Sequence, residues 1–207
     1  MKLIKLVGLL AVSALAVAAF AGAGSASADT LCKANENPCS AANSYPIGTV
    51  IKGLDPSATL LAGSFEVKCH SEVIGKTTVN HGAGKGILGL IEKVIWSNCS
   101  GSCNGATSIN TPYLALGSAA TQTMTVESDG SGNPGAQLSN CLFNGNSCTY
   151  SAASVAMKFV GGNPAKITVT KAPLARTAGL FCPATGEWDA TYTLSAPAGL
   201  LHLVSSP

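Results

Sequence analysis

The sequence predicts an all-β protein: an antiparallel β-sandwich of about ten strands stapled by disulfides, with a closed β-barrel as the alternative. Three observations predict this class. Short apolar runs recur about every ten residues, with glycine, proline or asparagine between them. Several of these runs alternate between apolar and polar residues, and no segment after residue 28 has the apolar period of a helix.

Residues 1–28 have the pattern of a cleaved signal peptide. Lys2 and Lys5 precede a long uncharged run, and residues 25–28 form a cleavage sequence of the A-x-A type. Cleavage there leaves residues 29–207, a length typical of a single secreted domain. We therefore expect an extracellular or cell-envelope protein without stable membrane insertion after cleavage.

The charge of the mature chain is balanced. Two of the 12 Lys and Arg residues belong to the signal peptide, so ten basic residues remain against 10 acidic ones. A chain without a basic patch is a poor general ligand for nucleic-acid phosphates. We therefore expect no nucleic-acid partner.

The cysteines predict a disulfide framework. All of them follow the predicted cleavage point, and an even number in an exported chain is typical of disulfides and not of zinc ligands. The eight candidates are Cys32, Cys39, Cys69, Cys99, Cys103, Cys141, Cys148 and Cys182. Short loops favour a Cys32–Cys39 bridge and allow one between Cys141 and Cys148. A hairpin that places Cys69 beside Cys99 favours that bridge, which leaves Cys103 and Cys182 as the last pair.

The first part of the mature chain leads into the clearest strand. Residues 29–45 lack any period and are interpreted as a stapled loop, and residues 49–51 and 59–61 as two short strands separated by turn residues. In the next strand, apolar and polar residues alternate. Its buried face should carry Phe65, Val67 and Cys69, and its exposed face Glu66, Lys68 and His70.

A glycine-rich loop over residues 81–86 joins this strand to the next. It lacks the spacing and the Ser or Thr of a G-x-x-x-x-G-K-[ST] phosphate loop, so a hairpin loop is the favoured interpretation. Residues 87–96 are almost continuously apolar, as expected for a strand covered on both faces. The remaining predicted strands cover residues 107–116, 120–127, 136–143, 155–159, 167–169, 188–195 and 200–204.

The charged residues around His70 are the first candidate for chemistry. In a strand Glu66, Lys68, His70 and Glu72 share one face, so they predict a solvated stripe and not a metal or acid–base site. Motifs of nucleophilic catalysis, such as G-x-S-x-G and H-E-x-x-H, are not found in the sequence. We therefore predict no catalytic residue, no cofactor, no metal ligand and no enzymatic activity.

Two further groups have ordinary structural interpretations. Asp129, Ser131 and Asn133 have calcium-loop offsets, but one carboxylate and no closing acidic residue favour a simple turn. The aromatic residues could line a carbohydrate or small-molecule pocket, although core positions are favoured at this low aromatic content. These residues are Trp96, Tyr113, Trp188 and Tyr192.

Several segments resemble exported, uncharacterised proteins of actinobacteria. They are SFEVKC, an apolar strand ending in SNC, CTYSAASVAMKFVGGNPAKITV and LFCPATGEWDATYTLSAP. The resemblance covers most of the mature chain and rests on the positions of the cysteines and the regular spacing of the strands. It implies a secreted, disulfide-stapled β-fold in a high-GC Gram-positive organism and assigns no functional residue.

These observations lead to two expectations about function. The first is a secreted, non-catalytic binding or structural module of the cell envelope or extracellular space, which contacts a protein or an envelope component through an edge strand. The alternative is an extracellular carrier of a small apolar ligand, which predicts a well-formed apolar cavity. A secreted hydrolase is the third and least favoured class.

Overall fold

The structure is a computed structural model, and it describes residues 29–78, 86–142 and 147–205, of which residues 87 and 88 are described by their backbone alone. The predicted signal peptide and all but the last residue of the predicted glycine-rich loop lie outside the described residues.

The described residues form 13 strands and no helix, which confirms the all-β class. The strands are β1 (Asp29–Cys32), β2 (Val50–Ala62), β3 (Phe65–Lys76), β4 (Ile87–Gly101), β5 (Cys103–Ile109), β6 (Tyr113–Ser118), β7 (Thr123–Ser128), β8 (Gly135–Cys141), β9 (Cys148–Ser151), β10 (Ser154–Val160), β11 (Lys166–Ala178), β12 (Thr185–Ala196) and β13 (His202–Ser205). All pairings are antiparallel, as predicted.

Eight of the strands close into a barrel. Their order is β10-β7-β6-β4-β3-β2-β12-β11, and the ring closes because β11 also pairs with β10, with Phe159 facing Ile167. The sequence analysis predicted a β-sandwich with a closed β-barrel as the alternative, and this ring is a closed barrel. The predicted hairpin over residues 155–169 is the β10–β11 pair and is confirmed.

Five strands of the ring, β2, β3, β4, β11 and β12, are between 12 and 15 residues long and extend beyond the barrel. There β11 pairs with β9, followed by β8 and β5. Together these ends enclose a second apolar cluster that includes Leu138, Tyr150 and Leu174. We call this part the disulfide lobe, because three of the disulfides lie in or beside it.

Bulges mark the level at which the long strands leave the barrel. The β2–β3 register shifts between Asp55 and Ala58, and the β11–β12 and β12–β2 registers shift at the same level. Asp55 is buried, and its carboxylate accepts hydrogen bonds from Ser57 N at 2.8 Å and from Thr191 N at 2.5 Å. The prediction of two strands over residues 49–51 and 59–61 is therefore wrong: the turn residues form a bulge within one strand, and Asp55 satisfies the amides around it.

A two-stranded ribbon of β1 and β13 lies at the opposite end of the barrel. Tyr45 Oη donates to Leu200 O at 2.6 Å, and Gln122 Nε2, in the β6–β7 turn, donates to Leu203 O at 2.8 Å. The prediction that residues 29–45 are only a loop is wrong at its start, because β1 finds its partner at the far end of the chain. Leu31 in β1 is buried in the barrel core.

Two other strand predictions can be compared directly with the structure. In β3, Val67 and Cys69 are buried and Glu66, Lys68 and His70 are exposed, as predicted, while Phe65 is only half-buried. The strand predicted over residues 107–116 is wrong as a single element. β5 ends before Asn110, which has a positive φ of 59°, and β6 begins only after Pro112.

All eight cysteines form disulfides. The Cys32–Cys39 and Cys69–Cys99 bridges agree with the prediction. The remaining pairs are Cys103–Cys141 and Cys148–Cys182, so the predicted alternative for these four cysteines is wrong. Register explains the difference, because Cys141 directly faces Cys103 across β5 and β8, whereas Cys148 faces Leu138.

Candidate functional site

The inside of the barrel contains an apolar cavity of about 90 Å³. Inward-facing side chains of β7 and β10, among them Val126 and Phe159, border it. The cavity extends from Leu31 at the ribbon end to Leu174 at the disulfide lobe. An eight-stranded barrel is just wide enough to be filled by its own side chains or to hold one small ligand. In this barrel the side chains leave a cavity in which one small ligand could fit.

Small residues on one wall account for part of that space. Gly75 and Gly89 border the cavity on β3 and β4, where the two backbones approach so closely that a Cβ at Gly89 would overlap the Lys76 carbonyl oxygen. Across the β4–β6 pair, Gly89 faces Ala115, which also borders the cavity. Close backbone contact thus excludes larger side chains where other strands of the ring contribute valine, methionine or phenylalanine.

Four aromatic residues named in the sequence analysis border the cavity: Trp96, Tyr113, Trp188 and Tyr192. The favoured interpretation placed them in the core, and the two tyrosines are indeed buried. The structure nevertheless places all four at the border of the cavity. The Trp188 ring lies 6.1 Å from that of Trp96 and 6.3 Å from that of Tyr192, between ring centroids.

The polar atoms of three of these rings are bound within the protein. Trp96 Nε1 donates to Ser108 Oγ at 2.8 Å. Tyr113 Oη donates to Ile109 O. Tyr192 Oη and Ser71 Oγ are 2.8 Å apart, and both residues are buried.

Burial determines the protonation of the wall tyrosines. It raises the pKa of Tyr192 far above its ordinary value, with the Ser71 hydrogen bond acting in the opposite direction and the Asp55 charge reinforcing the increase. Burial also raises the pKa of Tyr113, opposed by its hydrogen bond with Gly135. Both phenols therefore stay neutral at physiological pH.

The cavity wall offers little charge. Lys76 is the charged residue among those that border it, and its Nζ is 2.5 Å from Glu92 Oε1 in an ion pair whose side chains are both more than one-third exposed. Neither of the two described histidines, His70 and His202, borders the cavity. This arrangement can bind an apolar molecule by burying its surface. The prediction that the protein is not an enzyme stays a prediction.

The charged stripe of β3 lies on the outside of the barrel. His70 is exposed, and Lys68 Nζ forms an ion pair with Glu66 Oε1 at 2.9 Å, with both side chains about half-exposed. Glu72 is half-buried and does not border the cavity. The stripe therefore has the open environment that the sequence predicted.

One cluster has metal-ligand atoms close together, but its chemistry excludes a metal. Sulfur and oxygen atoms of Cys32, Glu36 and Cys39 lie within 4.8 Å of one another, yet the cysteines form a disulfide. Glu36 Oε1 instead accepts hydrogen bonds from Ser40 Oγ at 2.6 Å, Ser40 N at 2.7 Å and Asn43 Nδ2 at 3.0 Å. These bonds, those of Ser40 foremost, lower the pKa of the Glu36 carboxyl.

The Asp129 loop is an ordinary turn. Asp129 Oδ1 accepts a hydrogen bond from Ser131 N at 3.0 Å, and Ser128 Oγ accepts from Gly130 N, also at 3.0 Å. The carbonyl oxygen of Asn133 accepts from a neighbouring side-chain amide. The Asp129 carboxylate is thus used in a local turn hydrogen bond.

Comparison with protein-family models, with curated proteins and with solved structures finds no match for this chain. The resemblance to exported actinobacterial proteins therefore stays a prediction. Among the residues described, no helix is long and apolar enough to cross a membrane. Four disulfides are typical of an oxidising, extracellular-type environment.

Proposed function

We propose that this protein is a secreted, non-catalytic binding module of the cell envelope or extracellular space, and that it carries a small apolar ligand inside its barrel. The observation that carries this proposal is the cavity inside the barrel, whose wall is almost entirely apolar. Apolar pockets with a few fixed polar groups are the usual form of small-molecule sites.

The size of the cavity limits the ligand. An engineered protein cavity of about 150 Å³ with a similar aliphatic and aromatic wall binds benzene or xenon. A volume of about 90 Å³ is smaller than this and therefore suits a molecule smaller than benzene, such as xenon, or one short alkyl chain. Each buried methylene contributes about 0.8 kcal/mol, and no fixed charge of the wall would have to lose its hydration.

Export is supported by two independent features. The sequence of residues 1–28 has the charge, apolar run and cleavage pattern of a signal peptide, and the disulfides suit the oxidising side of a membrane. A carrier outside the cell would meet small apolar molecules directly.

The barrel favours ligand binding over the edge-strand contact expected from the sequence. Closing a ring removes the free edges of its strands. Outside the ring, β5 ends the sheet, and there Ser108 Oγ accepts from Trp96 Nε1 and donates to Val94 O at 2.7 Å, so β5 is linked to β4 through side chains.

The proposal can be tested on the native protein. The full-length chain should be exported from a bacterial host, purified without organic solvent, extracted and analysed by gas chromatography with mass spectrometry. In parallel, xenon should be titrated while the methyl resonances of the protein are followed by NMR. We expect shifts of methyl groups that border the cavity, such as Val126 and Val155. An empty extract together with unshifted methyl resonances would contradict a carrier.

A further inference from the structure

Three exposed apolar side chains lie at one end of the disulfide lobe. Leu142, Leu180 and Phe181 are 80%, 83% and 66% exposed, which places them among the most exposed large apolar residues that the structure describes. The β8–β9 and β9–β11 pairings bring the end of β8, the start of β9 and the end of β11 to the same side of the lobe. Leu142 follows β8 directly, and the other two lie in the loop after β11. We call these three residues the lobe tip.

The loop that carries Leu180 and Phe181 is fixed by covalent and polar contacts. Cys182 N donates to Gly179 O at 3.1 Å, which makes Leu180 and Phe181 the two central residues of a tight turn. A disulfide ties Cys182 to the start of β9. Arg176 Nη1 donates to Leu180 O at 3.1 Å and also to Cys182 O. These contacts hold the two apolar side chains away from the core.

Local structure does not account for apolar residues at this turn. Glycine, proline, asparagine, aspartate and serine predominate in turns, because they favour the turn backbone or bind to it. Leu180 and Phe181 do neither, and side chains that are largely exposed add little to the core. Apolar residues clustered on a surface often mark a contact with another surface.

The surroundings of the lobe tip carry little charge. β5, β8 and β9 contain no charged residue, and the guanidinium of Arg176 is bound to carbonyl oxygens of the loop. On the adjoining end of β3, Lys68 and Glu66 form an ion pair with each other. Such a surface has no excess charge with which to attract an anionic partner. It suits a lipid surface with zwitterionic headgroups, to which proteins bind by burying apolar side chains.

The area of the lobe tip favours lipid over a folded protein as the partner. A standard protein interface buries about 800 Å² on each partner. Even an aromatic side chain buries at most about 250 Å², so one phenylalanine and two leucines fall short of this area. A fluid bilayer needs no matching surface, because its acyl chains adapt to the side chains that enter it.

We propose that the lobe tip is a membrane-contact site, at which Leu142, Leu180 and Phe181 insert reversibly into the surface of a bilayer with zwitterionic headgroups. The contact is peripheral, because three side chains reach only the boundary between headgroups and acyl chains. It is therefore compatible with a mature chain that is not stably inserted in a membrane. The proposal rests on the proposed function only in that an exported protein meets a lipid surface, and it does not depend on the ligand of the barrel.

The test measures binding of the exported protein to unilamellar phosphatidylcholine vesicles by flotation. We expect equal binding at about 0.1 M and about 0.5 M salt, because salt screens charges and not apolar insertion. Leu180→Ser should weaken binding about tenfold, since burying a leucine side chain contributes about that factor or more. Phe181→Trp should add a fluorescence signal that moves to shorter wavelength when vesicles are added.

Ile47 provides the matched controls. It is 68% exposed and lies at the opposite end of the barrel, next to Gly48, whose N–H donates to Thr77 O just beyond β3. Ile47→Ser should leave vesicle binding unchanged, and the fluorescence added by Ile47→Trp should not move. Leu180→Ser and Ile47→Ser replace exposed side chains, so both should keep the urea midpoint of the natural protein.

Three results would overturn the proposal. The first is a protein that ignores the vesicles or binds only anionic ones at low salt. The second is an equal loss of binding in Leu180→Ser and Ile47→Ser, which would locate the contact elsewhere. The third is self-association that Leu180→Ser removes, without vesicle binding, which would make a second copy the partner of the lobe tip. Xenon binding in the barrel tests the carrier function separately, so the two can fail independently.

Discussion

The most direct test of whether the cavity is a ligand site is to fill it with a larger side chain. Ala115 on β6 is 5% exposed, borders the cavity, and lies between Gly89 on β4 and Val126 on β7. Ala115→Leu adds three carbon atoms to the side chain at this point. We expect the variant to be more stable than the natural protein and to have lost the space for a ligand.

The expected gain follows from the area that the new side chain removes from water. Three buried carbon atoms contribute about 0.8 kcal/mol each, or about 2.4 kcal/mol together. Fixing the leucine rotamer costs between about 0.5 and 1 kcal/mol. The free energy of unfolding should therefore rise by about 1.5 kcal/mol.

Ala190 provides the matched control. It is buried to a similar degree, at 6% exposure, and belongs to the same core cluster, but it does not border the cavity. Ala190→Leu inserts the same three carbon atoms into packed surroundings and should destabilise the fold by about 1–3 kcal/mol. The two substitutions are thus expected to change stability in opposite directions.

The assay is equilibrium unfolding in urea with the disulfides intact, followed by tryptophan fluorescence, together with xenon titration by NMR. Ala115→Leu should abolish xenon binding while raising the urea midpoint. If Ala115→Leu destabilises the protein as much as Ala190→Leu, the space at Ala115 is not available to a side chain. Unchanged xenon affinity in Ala115→Leu would show that any xenon site lies elsewhere.

Three further predictions concern stability. Ser71→Ala leaves the buried Tyr192 hydroxyl unpaired and should cost about 1–3 kcal/mol in urea unfolding; adding Tyr192→Phe should recover part of this loss, and strictly additive effects would contradict the bond. Because burial holds the pKa of Tyr192 above its ordinary value of 10.0, the unfolded chain loses this proton first, so stability should be complete below about pH 10 and decline above it. Urea unfolding between about pH 9 and 11 should show a shallower decline for Tyr192→Phe, and an unaltered decline would rule out Tyr192 as a source. Replacing Cys69 and Cys99 together by alanine opens a loop of 30 residues and should cost about 3.6 kcal/mol in thermal or urea unfolding; a loss below about 1 kcal/mol would contradict the chain-entropy account.

Local patterns predicted local structure well. The alternation of Val67 and Cys69 with exposed neighbours holds in β3, and the β10–β11 hairpin forms where its turn residues indicated. Closure of the barrel depends instead on pairs distant in sequence, such as Met124 with Met157 across β7 and β10. No periodicity within either strand specifies this partner, which is why the sequence left sandwich and barrel open.

The bulge at Asp55 shows why a turn signal was misinterpreted. Asp and Pro in succession indicate a turn when only neighbouring residues are considered. The carboxylate of Asp55 instead binds the amide of Thr191, which is 136 residues away in the chain. A local signal for a chain reversal is thereby converted into a bend within one long strand.

The cavity was the hardest feature to predict, because its volume is the difference between the size of the ring and the side chains that fill it. A signal was nevertheless present in the glycines at positions 75 and 89 and in Ala115, small residues inside apolar strands. Glycine within a strand often marks a close approach of another backbone or of a ligand. Recognising that these three positions meet required the β3–β4–β6 register.

The energetic cost of the empty cavity is an argument for the proposed carrier function. At about 24 cal/mol per Å³, a cavity of about 90 Å³ costs about 2 kcal/mol, comparable to the expected gain from Ala115→Leu. Bridges such as Cys69–Cys99 and Cys103–Cys141 each contribute more than this in the chain-entropy account and lie at the end of the barrel where the long strands leave it. One alanine-to-leucine substitution would remove most of the cost, yet position 115 is an alanine. A barrel stapled strongly enough to keep an internal space open is what a carrier requires, whereas a purely structural module would be more stable with the space filled.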